Sequence, residues 1–476
     1  MKNIVCNPYL PSWEYVPDGE PHVFGDRLYL FGSHDRFGGR KFCENDYVVW
    51  SAPVDDLSDW TCHGIVYRRE QDPGNIPGKS QMWAPDVTVG PDGRYYLYYG
   101  MNFRNRISVA VAEKPEGPYE FYGEVRYPDG TRYGGKPGEL LRFDPGVFSE
   151  DGRTYLYTGF CPTAFMFKVV ARRENATIEG TGSQVVELEP DMLTVKGEPR
   201  FLIPGKLTSA GTGFEGHEFY EASSMRKFDG RYYAIYSSFL SHELAWAVSD
   251  RPDGGFTFGG TLHSNAGIIR EGDAPTCFWG NNHGSVERVG GSFYVFGHRQ
   301  TNCNEVSRQG VAEPIRFEDG RFLPAEMTSQ GLYGKPLPTG VRYEAGIACA
   351  LMGRHGACKT TKQSRLFDPF ITQTGRDREY DPCQYVANIG NGTLVGYRYF
   401  DLSEARGIGL ELASRASGTL EVAYSRDGAA VAEVPIKRGQ KAALAKLPSG
   451  SSSSELWLRF KGRGRMDLYA FTLLEA

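Results

Sequence analysis

Short runs of alternating aromatic and smaller residues recur five times within about the first 300 residues of the chain. Each run follows a Gly-Asp, Asp-Gly or Gly-Gly turn, and its alternation has the period of two that is typical of a β-strand. The runs are GDRLYLFGS from residue 25, DGRYYLYYG from 92, DGRTYLYTG from 151, DGRYYAIYSS from 229 and GGSFYVFGH from 290. An Asp-Gly turn followed by such alternation indicates a β-hairpin.

The five hairpins recur at intervals of roughly 60 to 80 residues, within the range of repeat lengths expected of blade-like units. Further alternating runs follow most of them, such as NDYVVWSAPV, NRISVAVAEKP and HELAWAVSD. Each repeat therefore has enough chain for three or four strands, the content of one β-propeller blade. Because a single blade cannot bury both of its faces, we predict that all five pack around one axis.

The pattern changes after about residue 325. The Gly- and Pro-rich segment EMTSQGLYGKPLPTG reads as a connector, and short alternating runs such as TLVGYRYF, GTLEVAYSRDG and ELWLRFKG follow it. Short antiparallel strands at this spacing indicate a β-sandwich. The predicted fold class is all-β, with a five-bladed β-propeller in residues 1–325 and a jelly-roll-like β-sandwich in residues 326–476.

One ionisable residue lies six to eight residues ahead of each turn: Asp18, Asp86, Asp144, Glu221 and His283. If the strand before each hairpin is the innermost of its blade, all five side chains point towards one central channel. A single acidic residue before a hairpin is usually a turn former. Five at a similar distance favour a functional site, because charges brought together away from water must titrate or bind a ligand.

Three carboxyl groups and a histidine around one cavity suit general acid–base chemistry. Hydrolysis of a glycosidic bond needs one carboxylic acid to protonate the leaving oxygen and one carboxylate to activate water. A further carboxylate near the acid raises its pKa by repulsion between like charges. Tryptophans near the channel ends would either stack on sugar rings or belong to the core: Trp13, Trp83, Trp246 and Trp279.

Five longer motifs contain these residues: NPYLPSWEYVPDGEPHVF, MWAPDV, RFDPGVFSEDGRTYLYTG, FYEASSMRKFDGRYYAIYSS and NNHGSVERVGGSFYVFGHR. From residue 7 to about residue 320 the chain resembles glycoside hydrolase family 43, whose members are five-bladed propellers with an inverting mechanism. The resemblance implies that Asp18 is the general base, Asp144 tunes the pKa of the acid, and Glu221 is the general acid. The predicted substrate contacts are Trp83, Asp86, Glu20, His283 and Arg299.

The general base has two candidates. The family usually places Pro after the base, whereas here Gly follows Asp18 and Pro21 follows Glu20. Alignment through the Gly-Asp turn selects Asp18, and alignment of the acid-Pro dipeptide selects Glu20. We favour Asp18, because it lies eight residues before its turn, as Glu221 does.

The resemblance implies an inverting hydrolase that releases terminal pentosyl or furanosyl groups, of the α-L-arabinofuranosidase or β-D-xylosidase type. The alternatives are a β-D-galactofuranosidase, a carbohydrate-binding propeller without catalysis, and a retaining transferase or phosphorylase on a similar propeller. No cofactor is expected to be required, and the resemblance leaves open a Ca²⁺ or other ion in the channel, with His283 as a ligand. The C-terminal part resembles a family 6 carbohydrate-binding module, through GTLEVAYSRDGAAVAEVPI and LWLRFKGRGRMDLYAF; it either binds sugar or supports the propeller.

Composition narrows the partners. A net charge of -5 and a pI near 6.1 give no reason to expect nucleic acid as a partner. The start, MKNIVCNPYLPSWEY, lacks the apolar core of a signal peptide, and about 18 consecutive apolar residues occur nowhere. The nine cysteines include no CxxC pair, which favours buried free thiols. We expect a cytoplasmic protein that acts on plant or microbial oligosaccharides, with neither a nucleic-acid nor a membrane partner.

Overall fold

A computed structural model describes residues 4–75, 79–102, 104–379 and 381–475 of the chain. Strands account for 46% of the residues and helices for 4%, and the strand pairs are antiparallel, which confirms the all-β fold class. Within the described ranges, no helix is long and apolar enough to cross a membrane. The nine cysteines are free thiols, but only four of them are buried, and Cys62 is exposed.

Five antiparallel sheets follow one another along the chain, and in each the strands pair in sequence order. The first contains β1 (Glu20–Phe24), β2 (Arg27–Phe31), β3 (Tyr47–Pro53) and β4 (Thr61–Tyr67). The second contains β5 (Met82–Val89), β6 (Tyr95–Met101), β7 (Arg104–Ala112) and β8 (Glu120–Glu124). The third contains β9 (Gly146–Glu150), β10 (Arg153–Thr158), β11 (Gly182–Leu188) and β12 (Val195–Pro204), with helix α1 (Phe165–Arg173) between β10 and β11.

The fourth sheet contains β13 (Phe219–Phe228), β14 (Arg231–Ser238), β15 (Glu243–Ser249) and β16 (Thr257–Ser264). The fifth contains β17 (Val286–Val289), β18 (Ser292–Gln300) and β19 (Arg308–Ile315), and a small hairpin of β20 (Phe317–Glu318) and β21 (Arg321–Phe322) follows. Short 3₁₀ helices lie at Arg69–Gln71, Gly331–Tyr333, Ala345–Ile347 and Thr360–Lys362.

The five sheets are the blades of a closed propeller. Their first strands contact one another in turn, β1 with β5, β5 with β9 and β9 with β13, and β1 also contacts β17. Five hydrophobic clusters lie between successive blades, and one of them joins the fifth blade to the first. The predicted radial arrangement is therefore present, and the first strand of each blade lies innermost.

The alternation of aromatic residues is what builds these clusters. In β6, Tyr96 and Tyr98 pack between the second and third blades, whereas Leu97 and Tyr99 pack between the first and second. Because successive side chains of a strand point to opposite faces, one run such as YYLYYG supplies apolar surface to two interfaces. A strand buried on both faces needs large residues at every position, and the repeats meet this need with tyrosines.

Two further sheets form the predicted β-sandwich. One has the order β24-β25-β32-β27-β30 with β22 beside β32, and the other has the order β23-β26-β31-β28-β29. Apolar residues of both sheets share one core cluster. The strands are β22 (Arg342–Glu344), β23 (Ala350–Met352), β24 (Phe370–Gln373), β25 (Gln384–Ile389), β26 (Leu394–Arg398), β27 (Gly407–Ser414), β28 (Ser417–Ala423), β29 (Ala432–Ile436), β30 (Ala442–Lys446), β31 (Glu455–Arg463) and β32 (Met466–Leu474). The proposed boundary at residues 325 and 326 falls between β21 and β22.

Candidate active site

A cavity of about 530 Å³ opens at one end of the propeller channel. Asp18, Asp144, Glu221 and His283 line it together, although they come from four different blades. Aromatic side chains form much of its wall: Phe42, Trp83, Phe143, Phe160, Phe167 and Tyr220. The size and the largely apolar wall with a few converging polar groups are typical of a small-molecule site.

The backbone is left-handed where the inner strands present their acidic groups. Asp18 has φ +56°, Asp144 has φ +44° and Ala222, directly after Glu221, has φ +65°. The pairing of β13 with β14 also changes register between Glu221 and Ser224. Such conformations occur in the few places where a bend must aim a side chain, and here they turn three carboxyl groups towards the cavity.

Asp18 is held as a carboxylate by a buried arginine. Nη1 of Arg308 donates a hydrogen bond of 2.7 Å to Oδ1 of Asp18, and the same guanidinium makes two hydrogen bonds, of 2.9 and 3.0 Å, to the carboxylate of Asp35. Burial by itself would raise the pKa of Asp18, but the charges of Arg308 and His283 outweigh it and lower the pKa to about 2. Asp18 therefore carries a negative charge at neutral pH, as a general base must.

Two histidines beside Asp18 have opposite charge states. Burial lowers the pKa of His298 to about 3, and its ring is neutral: Nε2 donates to the carbonyl oxygen of Asn281 at 2.7 Å, and Nδ1 accepts the backbone N–H of Asp18 at 3.3 Å. For His283, burial is outweighed by the surrounding carboxylates, which raise its pKa to about 9. Its Nδ1 lies 3.9 Å from Oδ1 of Asp18 and 3.7 Å from Oδ2 of Asp144, so one imidazolium lies between two acids.

Glu221 and Asp144 form a coupled pair with pKa values shifted upwards. Burial raises the pKa of Glu221 to about 8, and the negative charge of Asp144 adds to the effect. Burial likewise raises the pKa of Asp144, against the opposing charge of His283. Glu221 thus keeps its proton at neutral pH while Asp18, across the same cavity, has lost its own. Environments that separate the pKa values of two carboxyl groups in this way are what acid–base catalysis requires.

Glu20 and Asp86 lie in a second, deeper layer of the channel and do not line the cavity. Oε2 of Glu20 accepts hydrogen bonds from Ser224 at 2.9 Å and from Arg226 at 2.8 Å, and Oδ1 of Asp86 lies 2.7 Å from Nε2 of His22. Both acids lie six residues before their turns, whereas Asp18 lies eight before its turn, and two residues of strand span about 6.6 Å. Contact of Glu20 and Asp86 with the substrate therefore stays a prediction, which their place below the cavity does not favour, and the same geometry favours Asp18 as the base.

Arg299 also lies outside the cavity. Its guanidinium donates to the carbonyl oxygen of Gly346 at 2.7 Å, and to the side chains of Gln384 at 2.8 Å and Gln309 at 3.1 Å. The contacts with Gly346 and Gln384 join the fifth blade to the sandwich, and contact of Arg299 with the substrate stays a prediction that this position does not favour. The orientation of the Arg299 side chain depends on its contacts with the second domain, and the propeller motifs carry no information about those contacts.

Of the four tryptophans considered, Trp83 lines the cavity, where its ring packs edge-to-face on Phe143 at 5.4 Å. Trp246 is buried in the cluster between the fourth and fifth blades, and Trp13 packs against Trp50. Trp279 contacts His242. The predicted contact of Trp83 with the substrate is consistent with its position, and the other three have structural surroundings.

Arg308 and Lys359 are among the cavity residues that no sequence motif indicates. Arg308 begins β19 in the stretch EVSRQGVAEP, which contains no recognisable motif. Lys359 belongs to the C-terminal part of the chain and yet lines the cavity of the propeller. Both reach the site through contacts between residues far apart in sequence, and no local pattern could have indicated either.

Comparison with known proteins identifies the family. The sequence model of "Glycosyl hydrolases family 43" matches residues 14–322. A "Xylosidase/arabinosidase" of Thermoclostridium stercorarium is 43% identical over 483 aligned positions, which cover 99% of both chains. A "Xylosidase/arabinosidase" of Bacteroides ovatus is 31% identical and covers 61% of this chain and 87% of its own. The chain belongs to glycosyl hydrolase family 43 and is a glycosidase.

Solved structures show the same fold. A family 43 arabinoxylan arabinofuranohydrolase from Bacillus subtilis matches with a TM-score of 0.52 at 21% identity, and the match covers 99% of this chain and 97% of that one. This match extends over the propeller and the C-terminal sandwich together. A family 43 enzyme from Xanthomonas citri matches with a TM-score of 0.53 at 24% identity and covers 70% of this chain and 96% of its own.

Proposed function

We propose that this glycosidase releases terminal α-L-arabinofuranosyl or β-D-xylosyl groups from plant or microbial oligosaccharides, with inversion at the anomeric carbon. The names of its relatives, one of which aligns over 99% of the chain, support this choice of sugars. The observation that carries the proposal is that one cavity contains an ionised Asp18 and a protonated Glu221.

In this mechanism, Glu221 donates its proton to the glycosidic oxygen as the bond to the anomeric carbon breaks. Asp18 accepts a proton from the water that attacks the same carbon from the opposite face. The reaction yields the inverted sugar and a free leaving group, and Asp18 and Glu221 then exchange protons with solvent to regain their starting states. The positive charges of Arg308 and His283 keep Asp18 ionised.

The mechanism assigns no step to a metal ion. Glu20, His22 and Asp86 bring possible ligand atoms within 4.8 Å of one another, but His22 and Asp86 already bind each other and Arg226 pairs with Glu20. This deeper layer therefore does not fit Ca²⁺, which takes six to eight oxygen ligands. Oε1 of Glu20 is buried without a hydrogen-bond partner, 3.8 Å from Nε2 of His283, and this pair fits a shared water.

The proposal is tested with 4-nitrophenyl glycosides of α-L-arabinofuranose, β-D-xylose and β-D-galactofuranose. We expect turnover of at least one of the first two, and anomer-resolved NMR of the first product should show inversion. Turnover of the galactofuranoside alone would replace the proposed sugars, and a product of retained configuration would overturn the mechanism.

Replacing Asp144 by Asn should move the alkaline limb of the pH–rate profile to lower pH. The limb reports loss of the proton of Glu221, whose raised pKa depends in part on the charge of Asp144. Without that charge the pKa of Glu221 falls, so the acid form is lost at lower pH. The measurement is kcat/KM between pH 5 and 10.

Asp151→Asn is the matched control, since Asp151 has a left-handed backbone (φ +49°) but is exposed at a turn outside the cavity. Its profile should coincide with that of the wild type. An alkaline limb in Asp144→Asn that stays at the position of the wild type would remove Asp144 from its role in tuning the acid.

A further inference from the structure

The sandwich contributes a side chain to the cavity of the propeller. Lys359 lies between β23 and β24 of the sandwich, immediately before the 3₁₀ helix Thr360–Lys362. Among the residues that the structure describes, every other one that lines the cavity precedes residue 310 and so belongs to the propeller. The charged side chain of Lys359 therefore lies where it can contact the substrate, although it belongs to the second domain.

Backbone contacts fix this segment on the propeller. The backbone N–H and the hydroxyl of Thr360 both donate to the carbonyl oxygen of Trp279, at 2.7 and 2.8 Å, and Lys359 forms a parallel bridge with Trp279. Nearby, the N–H of Asn302 donates to the carbonyl oxygen of Ile371 at 2.7 Å. The backbone of Lys359 is therefore held in place before any substrate binds, which lowers the entropy cost of a contact with substrate.

The ammonium group of Lys359 is only partly engaged. Its Nζ donates to Oγ of Ser241 at 3.3 Å and lies 3.9 Å from Oε1 of Glu305, beyond hydrogen-bond distance. The relative solvent exposure of the Lys359 side chain is 39%. An ammonium group has three donors, and among the described residues Ser241 accepts from one of them. The remaining donors are available beside a carboxylate that can accept.

The position of this pair points to the leaving group. Ser241 follows β14, and β14 pairs with β13, where Glu221 lies opposite Ser237. Asp18 lies just before β1 of the first blade, whereas Glu221 lies on β13 of the fourth. Because the acid must lie next to the oxygen that it protonates, the wall beyond Glu221 borders the leaving sugar rather than the attacking water.

We propose that Lys359 and Glu305 bind adjacent hydroxyl groups of the leaving sugar, so that the sandwich completes the subsite next to the cleaved bond. This inference rests on the proposed function. Lys359 donates to one hydroxyl, and Glu305 accepts from its neighbour. A donor and an acceptor of opposite charge suit an uncharged sugar, whereas a uronic acid would be repelled by Glu305. The sandwich then acts in substrate selection at the site of cleavage.

The test compares two leaving groups on the same terminal sugar: the 4-nitrophenyl glycoside and the corresponding disaccharide, xylobiose or arabinobiose. Lys359→Met should lower kcat/KM about 10-fold to 100-fold for the disaccharide, the usual effect of losing a hydrogen bond to a charged group. The aryl glycoside has no hydroxyl for Lys359, and its kcat/KM should change less than about 3-fold by the same reasoning. Lys362→Met is the matched control, because Lys362 is exposed in the same 3₁₀ helix and does not line the cavity.

Equal losses on both substrates, or no loss on the disaccharide, would overturn the inference. Should Lys359→Met not fold, Glu305→Gln undergoes the same comparison with the same criteria. If the wild type cleaves neither pentoside, the proposed function fails separately, and the leaving-group comparison is made with the glycoside that it does cleave.

Discussion

Replacing Glu221 by Gln should reduce kcat for an oligosaccharide by about 10²- to 10⁴-fold, the contribution that a general acid usually makes. The amide keeps the shape of the side chain but cannot transfer a proton to the leaving oxygen. Binding should persist, since the aromatic wall and Arg308 are unchanged. The measurements are kcat for the disaccharide and Kd by calorimetry.

The leaving group gives this prediction a sharper form. The 2,4-dinitrophenolate group of a 2,4-dinitrophenyl glycoside leaves without protonation. Glu221→Gln should therefore lose much less activity on this substrate than on the disaccharide. Glu215→Gln is the matched control. It makes the same chemical change at a residue six positions earlier, in an exposed loop outside the cavity. Losses that do not depend on the leaving group would exclude Glu221 as the acid.

The blades were predictable because each repeat carries its own signal. The alternation in a run such as YYLYYG follows from the two faces of an inner-blade strand, and the Asp-Gly turn marks where the strand reverses. Five such units bury their apolar faces by packing side by side around one axis. The same reasoning directs Asp18, Asp86, Asp144, Glu221 and His283 towards the central channel, and the structure brings all but Asp86 together in one cavity.

The motifs did not indicate how deep in the channel each acidic side chain lies. Asp86 precedes its turn by six residues, as Glu20 does, and both lie one layer below Asp18. The number of residues between acid and turn differs between the two layers. A shift of two residues keeps a side chain on the same face while moving it along the strand, so period alone cannot separate the layers.

Contacts between domains and between distant blades account for the rest. Arg299 turns towards Gly346 and Gln384 of the sandwich, and Lys359 reaches back from the sandwich into the cavity. Arg308 finds Asp18 and Asp35 about 270 to 290 positions away in sequence. Such pairs depend on how two finished surfaces meet, and that arrangement is not encoded in any one repeat.

Replacing Asp18 by Gly should lower kcat by about 10²- to 10⁴-fold, because the attacking water loses its general base. Glycine is the suitable replacement, since the backbone of Asp18 has φ +56° and glycine adopts this conformation without strain. Arg308 keeps its two hydrogen bonds to Asp35, so its charge stays paired and the fold should persist. The measurements are kcat on the 4-nitrophenyl glycoside and the thermal midpoint.

Adding sodium azide to Asp18→Gly distinguishes the loss of a general base from damage to the active site, because azide should restore activity only in the first case. The deleted carboxylate leaves a space beside the cavity in which a small anion can attack the anomeric carbon directly, and an inverting reaction then yields a glycosyl azide of inverted configuration. Glu20→Gly with azide is the comparison that tests the alternative base: Glu20 pairs with Arg226 and lies outside the cavity, so azide should not restore its activity. Rescue of Glu20→Gly but not of Asp18→Gly would move the role of base to Glu20, and with it the layer of the channel in which water is activated.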